Sequence, residues 1–593
     1  MATKQKVVPQ KLSREAYRAL EHIVGKEWVT EDRAIIEAYV LACIDVGTSI
    51  RALHRDPSLR AAAVVLPAST EEVQEIVRAA NRYGFGVQPM SNNQVGSSCL
   101  QPGLVIVSMR RMDKCEVDEE NMRITIQPFL SYQRIHHEAA KRGLWLGGSG
   151  WHGAIAKPCS QFNTAGLWQS ELKYCGLSRN VLGMKVVMAD GSLLRLGSAA
   201  IAGTGDVPFT ERFPGLNLMG IMKNAFGSRG IITEITLKLH PWVGGPIPED
   251  RGRPSVENYF IDSEEKKFDR PVPPSRHKIF WFEYPTLAGI TEGCAKLAGA
   301  GIGVALNIAG NYNAAMCSYT IAEANKRSQT RTFGISGYMI IAGVWSEKQL
   351  DYEEKVLRQI VKETGGELWS KDNKPELLDA VSPWSLEFVL NSETGLRTLR
   401  SNYIDTMLTP YAPFREIPDT ARMWDETYKE IGPQGEERGE YHSHMGTWCP
   451  WGYIADRGHQ VETEVDYFPE RTSEKELIVM FEGMTDSIFR YIANDYPSCW
   501  MEDIIEPFMP MMPEVGPDRY LLLRKYREIT DPKGVISPKR MITTSDEFKA
   551  RYINPKEQTV KMELRFRDRF GFHKLELAPE GDRWKTPPVP KEK

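Results

Sequence analysis

The sequence predicts an α+β fold, and three observations carry that expectation. A strand, a helix and a second strand follow one another between residues 63 and 90. Two strands with glycine turns occupy residues 182–191 and 227–241. From residue 278 to residue 369, strands and helices alternate through two further rounds.

Length and composition set the outer limits. A chain of 593 residues is long enough for at least two domains with large cores. Charged residues make up 26% of it and the net charge is −4, so no basic excess points to nucleic acid. No apolar run approaches the roughly 20 residues that span a bilayer. The first residues lack the apolar core of a signal peptide. Nine cysteines, scattered and without a CxxC pair, suggest neither a disulfide framework nor a zinc site. The expectation is a reduced, cytoplasmic protein without a membrane span.

Taken in order, residues 12–45 read as helices, opened by the capping Ser13 and carrying an apolar face of Ala34, Ile35, Ala38, Tyr39 and Leu41. Residues 63–67 form a short buried strand. In the helix that follows, Ser69 caps the start, Glu72 completes a capping box and Val73, Ile76, Val77 and Ala80 form the buried stripe. Gly84 ends it. Residues 87–90 are the next strand, leading into Ser91, Asn92, Asn93, Gln94, Val95, Gly96, Ser97 and Ser98. Such a run of small polar residues exposes backbone N–H groups on a turn, which suits phosphate oxygens; a polar surface loop would read the same way. A strand at 105–108, a hairpin at 115–128 and an amphipathic helix at 131–141 come next.

The stretch 227–241 organises this half. Gly227 and Gly230 bracket a turn in which backbone can approach a ligand closely. The following strand alternates Ile231, Thr233, Ile235, Leu237 and Leu239 against Ile232, Glu234 and Thr236. Residues 242–277, rich in Pro, Gly and charge, read as a linker and extended arm. In the second half, strands at 278–284, 304–308 and 338–345 interleave with helices at 286–300 and 346–364. Tyr132, Trp345, Trp369, Trp384 and Trp500 are expected to pack in cores.

Eight landmarks in order carry a resemblance. They include the strand and capped helix before the polar loop, GLWLG at 143–147, NTAG at 163–166, YCGLSRNVLG at 174–183, ADG at 189–191, GSRGIITE at 227–234 and DPKGVISP at 531–538. Together they resemble the FAD-binding domain of the vanillyl-alcohol oxidase/p-cresol methylhydroxylase (PCMH) superfamily, which also contains glycolate and D-lactate dehydrogenases. The resemblance implies a two-subdomain FAD-binding PCMH-type domain plus an α+β cap domain, whose antiparallel sheet with ferredoxin-like elements roofs the flavin. The implied boundaries are 1–245 for the FAD-binding domain, 246–277 for the arm and 278–500 for the cap. Residues 501–561 return to the FAD-binding domain and 562–593 are a tail.

By the same resemblance FAD is the cofactor, held non-covalently by Pro89, the loop 91–98, Gly150, Ser178, Arg179, Gly227, Gly230, Ile231 and Ile232. Arg179 and Arg229 are candidates for neutralising pyrophosphate or reduced-flavin charge. The segment 441–453 packs two histidines, two tryptophans and two tyrosines into thirteen residues. It matches the cap segment that faces the flavin in relatives, with His444 first and His442 second as catalytic or tethering residues. His152 is a further candidate base. A metal at His442 and His444 with His459 or Glu440 is the less favoured reading, and no metal is expected. The departures also matter. Val95 falls where phenol-oxidising members place a tyrosine, and Gly176 falls where they place an aspartate.

The implied function is oxidation of a hydroxyl or activated C–H of a small, aromatic substrate, by hydride transfer to flavin N5. Electrons would pass to O2 or a protein acceptor, and the chain is expected as a homo-oligomer. Two alternatives stand beside it: a 2-hydroxy-acid dehydrogenase, and a non-catalytic subunit with a degenerate flavin loop.

Overall fold

The computed structural model describes residues 11–41, 60–91, 103–148, 153, 156–163, 168–212, 217–223, 225, 227–243, 276–309, 334–390, 406–408, 411–422, 451–467 and 517–538. In chain order the first half contains α1 (Arg14–Val24), β1 (Val29–Thr30), α2 (Arg33–Leu41), β2 (Ala63–Val65), α3 (Thr70–Tyr83), β3 (Val87–Met90), β4 (Val105–Ser108), β5 (Cys115–Asp118), β6 (Arg123–Ile126), α4 (Tyr132–Ala140), β7 (Leu144–Trp145), α5 (Pro158–Asn163), α6 (Glu171–Tyr174), α7 (Leu177–Asn180), β8 (Val181–Val187), β9 (Leu193–Gly197), α8 (Met219–Met222), β10 (Ile231–Lys238) and β11 (His240–Pro241).

The strands of this half form two sheets and a short ribbon. The first sheet has the order β1-β2-β4-β3, with β2, β4 and β3 parallel. Parallel neighbours need a crossover, and α3 supplies it. The Ser69 hydroxyl accepts the Glu72 N–H at 3.2 Å and Gly84 closes the helix at φ 73°. Glu72 reaches one residue further back than a capping box requires, and its carboxylate accepts the Ala68 N–H at 2.7 Å. The second sheet is antiparallel, β5-β6-β10-β8-β9. Strand β10 lies at its centre and packs a core against each face, so the one-sided alternation expected from the sequence does not hold. The register against β8 shifts between Ile232 and Glu234, a bulge that re-aims the strand. As a result Ile231 enters the core shared with α3 and β3, while Ile232, Ile235 and Leu237 enter the core beneath α4.

The second half contains β12 (His277–Tyr284), α9 (Leu287–Gly299), β13 (Ala305–Ala309), β14 (Ile335–Ala342), α10 (Glu347–Glu363), β15 (Glu367–Leu368), α11 (Pro375–Leu390), β16 (Thr406–Leu408), β17 (Tyr411–Ala412), β18 (Trp451–Ala455) and β19 (Gln460–Tyr467). Among the described residues these strands form one antiparallel sheet, β15-β12-β14-β13-β18-β19-β16, with β17 also pairing β19. Its first four strands and two helices follow the β-α-β-β-α-β pattern, the ferredoxin-like arrangement expected of the cap.

The two faces of this sheet differ. Phe282, Leu306, Ile308, Met339 and Ile341 pack against Ile290, Leu297, Leu357 and Val361 of α9 and α10. The opposite face packs Trp281, Tyr338, Ala305 and Tyr453 against α11 and against Trp145 and Val243 of the first half. Trp369 joins this core, stacked on Trp281 with centroids 5.2 Å apart. Trp345, expected in a core, is instead 82% exposed. It precedes the N-cap Ser346 of α10, and its N–H donates to Gln349 Oε1, so its backbone serves the helix start while its indole stays outside.

The last described helix, α12 (Pro517–Thr530), returns the chain to the first half. The Asp531 carboxylate accepts the N–H groups of Val535 and Ile536, Ile536 bridges Val87 of β3, and Ser537 Oγ donates to the Gly227 carbonyl at 2.7 Å.

Candidate functional site

Two places in the fold make up the candidate site, and only the first gathers residues expected from the sequence. The first is the end of β3 beside the turn before β10. Gly227 takes φ 69°, and a Cβ added there would lie 2.8 Å from Pro89 Cγ. Gly230 takes φ 149°, and a Cβ there would overlap Val186 Cγ1 of β8. The close approach expected between this turn and a ligand is therefore, at Gly230, an approach to the neighbouring strand. Ser91 ends the described part of the polar loop; residues 92–98, Gly150 and His152 lie outside the described residues. The buried Gln88 Oε1, one residue before Pro89, has no hydrogen-bond partner among the described residues.

Arg179 and Arg229 are engaged by the protein. Arg229 donates to the Ile221 and Lys223 carbonyls. Arg179, next to Ser178 in α7, lies 3.8 Å from Asp456 of the cap with its side chain largely exposed. Ile231 and Ile232 are buried in the two cores described above.

The second place is the contact between α6 and the cap, where this helix lies against β13, β18 and the Asp456–Gly458 turn. Around it stands an aromatic group. Tyr174 is edge-on to Trp145 at 5.3 Å and tilted against His240 at 4.4 Å, and Trp145 meets Trp242 at 5.8 Å. One imidazole nitrogen of His240 lies 3.0 Å from Asn180 Oδ1. Burial, with Lys238 adding to it, lowers the His240 pKa to about 4, so the ring is neutral at neutral pH. Burial, with the Glu353 charge, raises Tyr174 to about 12 and keeps its proton on. Among the described residues the Tyr174 hydroxyl and the Trp145 indole N–H have no hydrogen-bond partner. An orphan donor inside a protein is costly, typically 1–3 kcal/mol, unless something accepts from it.

The cap contributes a transverse row. Register places Trp281 opposite Tyr338, Tyr338 opposite Asn307, Asn307 opposite Tyr453, Tyr453 opposite Glu462 and Glu462 opposite Tyr411. Directly paired residues of an antiparallel sheet share a face, and this is the face that meets the first half. Asn307 Nδ2 donates to the Tyr338 hydroxyl at 2.5 Å, while Asn307 Oδ1 is buried without a partner among the described residues. Glu462 is fully buried. Apart from Tyr453, which closes the aromatic segment 441–453, these residues did not stand out in the sequence, because six strands separated by up to about 180 positions bring them together. The available signal was a polar residue at an inward position of an apolar strand, as in Asn307 of β13.

A family model described as FAD binding domain matches residues 61–197. Residues 61–197 are an FAD-binding domain. Two solved structures share the architecture over 91% of this chain and 99% of theirs, each at TM-score 0.67 and 16% identity. They are a 4-ethylphenol oxidase from Gulosibacter chungangensis in complex with isoeugenol, and p-cresol methylhydroxylase with substrate bound. At that identity the likeness shows the fold, which is of the PCMH type. A probable mitochondrial D-lactate dehydrogenase of Danio rerio is 28% identical over 242 residues, covering 39% of this chain and 47% of the relative. The chain thus spans less than half the length of that relative.

The residues present fit FAD. Partnerless donors at Trp145 and Tyr174 match a heterocycle edged with carbonyl oxygens and ring nitrogens, and they belong to or border the FAD-binding domain. His442, His444 and Glu440 lie outside the described residues. His459 ends the turn after Gly458, and no cluster able to hold a metal ion occurs among the described residues. No described helix is long and apolar enough to cross a membrane.

Proposed function

We propose that the chain is an FAD-dependent oxidoreductase that oxidises a hydroxyl or activated C–H bond of a small aromatic substrate held beneath the cap. The observation that carries this reading is the row Trp281–Tyr338–Asn307–Tyr453–Glu462 on the cap face that meets the FAD-binding domain. The aromatic members offer flat apolar surface, and Asn307 offers a buried carbonyl without a donor. FAD would supply the acceptor for the hydride equivalent removed from carbon. Glu462 is the acid on the row suited to take the hydroxyl proton. Pro89, Ser91–Ser98, Gly150, Ser178 and the turn 227–230 would hold the cofactor, with His442, His444 and His152 nearest the reacting carbon. The cofactor is held non-covalently, O2 or a protein accepts the electrons, and the chain assembles as a homo-oligomer.

A 2-hydroxy-acid substrate is the second reading, favoured by the D-lactate dehydrogenase relative. Against it, the row carries no cation for a carboxylate and does carry Glu462. Anaerobic mixing of the purified yellow protein with aryl alcohols and with 2-hydroxy acids separates the two. Bleaching of the flavin by aryl alcohols, slowed about a hundredfold in Glu462→Gln, is the expected result. Bleaching by D-lactate or glycolate alone would favour the second reading, and a colourless protein that takes up no added FAD would refute both.

A further inference from the structure

A buried carboxylate away from the row joins the two halves of the chain. Glu171 opens α6 and is 5% exposed. Its Oε1 accepts the Trp168 N–H at 3.1 Å, and its Oε2 accepts the Asp456 N–H at 3.2 Å, 285 residues away in the turn between β18 and β19. That turn presents the N–H through a costly backbone, with Asp456 at φ 45° and Arg457 at φ 61°, both left-handed and neither glycine. A side chain that fixes a strained turn across a domain boundary sets the position of whatever the turn carries. This turn carries Tyr453 and Glu462 on its two flanking strands.

We propose that Glu171 is a positioning residue that ties the β18–β19 hairpin of the cap to the FAD-binding domain and so sets where Tyr453 and Glu462 stand. The significance of those two residues rests on the function proposed above; the tie itself does not. Helix α6 also ends at Tyr174, so one short element holds both the tie and the aromatic group beneath the row.

The groups facing Glu171 are Asp456 from the turn, Lys223 beyond α8, Cys175 after α6 with Arg457 acting on it, Arg179 of α7 through its pair with Asp456, and Tyr132 of α4. Burial raises the Glu171 pKa to about 7, the two N–H donors oppose that rise, the Asp456 charge adds to it and Lys223 opposes it. Opening the hairpin returns the carboxyl to water and its ordinary range. The docked state therefore holds the proton more tightly than the open one, and the tie loosens as pH rises through about 7.

Hydrogen exchange of the full-length, FAD-loaded protein tests this, read on peptides covering residues 451–463 at about pH 6 and about pH 8 after correction for intrinsic rates. In Glu171→Ala the hairpin should exchange about tenfold faster, with peptides over 63–65 unchanged. The wild-type hairpin should lose protection several-fold between the two pH values and Glu171→Gln should not. Unchanged hairpin protection in Glu171→Ala, or identical pH responses in wild type and Glu171→Gln, would overturn the proposal. If the alanine variant does not fold, the glutamine comparison decides alone. Absence of turnover with this exchange pattern intact would sink the functional reading and leave the tie standing.

Discussion

Replacing Gly230 by valine separates two roles that a glycine turn beside a cofactor site can have. The new Cβ would overlap Val186 Cγ1 and lie 3.4 Å from both Met222 Cε and the Val187 carbonyl, all of them protein atoms. The φ of 149° is also one that valine rarely adopts. Strain at such a position costs about 1–3 kcal/mol, and overpacking against β8 adds about 1–3 kcal/mol. A combined loss of about 4 kcal/mol should lower Tm by roughly 3 °C for the chain unfolding as one unit and roughly 8 °C for the FAD-binding half unfolding alone. Thermal denaturation of FAD-stripped protein and of protein in excess FAD is the assay. Because the obstructing atoms belong to β8 and α8, the drop should be the same in both, leaving the FAD-induced rise in Tm intact. A variant with wild-type apo stability that no longer gains Tm from FAD would refute the reasoning and place the turn against the cofactor.

Other expectations follow from the cap and the loop. Asn307→Ala removes the donor to the Tyr338 hydroxyl from a fully buried site, so it should cost about 1–3 kcal/mol in denaturant unfolding and raise the apparent KM of whichever substrate bleaches the flavin. Simple 4-alkylphenols should be poor substrates because Val95 stands where a phenolate-holding tyrosine is expected; efficient flavin reduction by 4-ethylphenol would show that loop to be misaligned. Stability should peak between weakly acidic and neutral pH in denaturant midpoints, because buried His240 and His277 oppose buried Glu171.

Local rules were the legible part of this chain. Ser69, Glu72 and Gly84 mark both ends of α3, and the strands flanking the Asp190–Gly191 turn emerge as β8 and β9. What failed was anything set by neighbours. The alternation of 231–239 assumed one buried face, whereas β10 is central and bulged, so apolar residues of both parities are buried. Trp345 was expected inside because indoles usually are, but its position just before a helix cap leaves the ring outside. The row was hidden for a different reason: which residues share a face across β12, β14, β13, β18 and β19 depends on pairing register, and no local pattern encodes that. Glu171 gave no signal either. An acid at the first position of a four-residue helix reads as an exposed residue favourable to the helix dipole. The packing of α6 against β13, β18 and the Asp456 turn brings it under cover.

The pH dependence of stability follows from three buried groups with opposite signs. Glu171 rises from 4.5 to about 7 in the folded chain because burial penalises its charge. Its contribution, about 3 kcal/mol, is complete below about pH 4.5 and is lost as pH climbs through about 7. His240 and His277 fall from 6.5 to about 4, both chiefly through burial. Each contributes about 3 kcal/mol that is complete above about pH 6.5 and lost as pH drops through about 4, because the unfolded chain then takes up protons that the buried rings refuse. Two histidines outweigh one carboxyl where the windows overlap, so stability should rise from about pH 4, crest near pH 6.5 and slip slightly by pH 7. Denaturant midpoints measured across this range on wild type, His240→Gln and Glu171→Gln resolve the two limbs. The first variant should remove most of the acid limb, because the one remaining histidine is then offset by Glu171 above about pH 4.5, and the second should remove the decline above the crest. An acid limb in His240→Gln as steep as in wild type would mean that the ring is protonated in the folded protein, and with it the buried environment around Tyr174 and Asn180 would have to be redrawn.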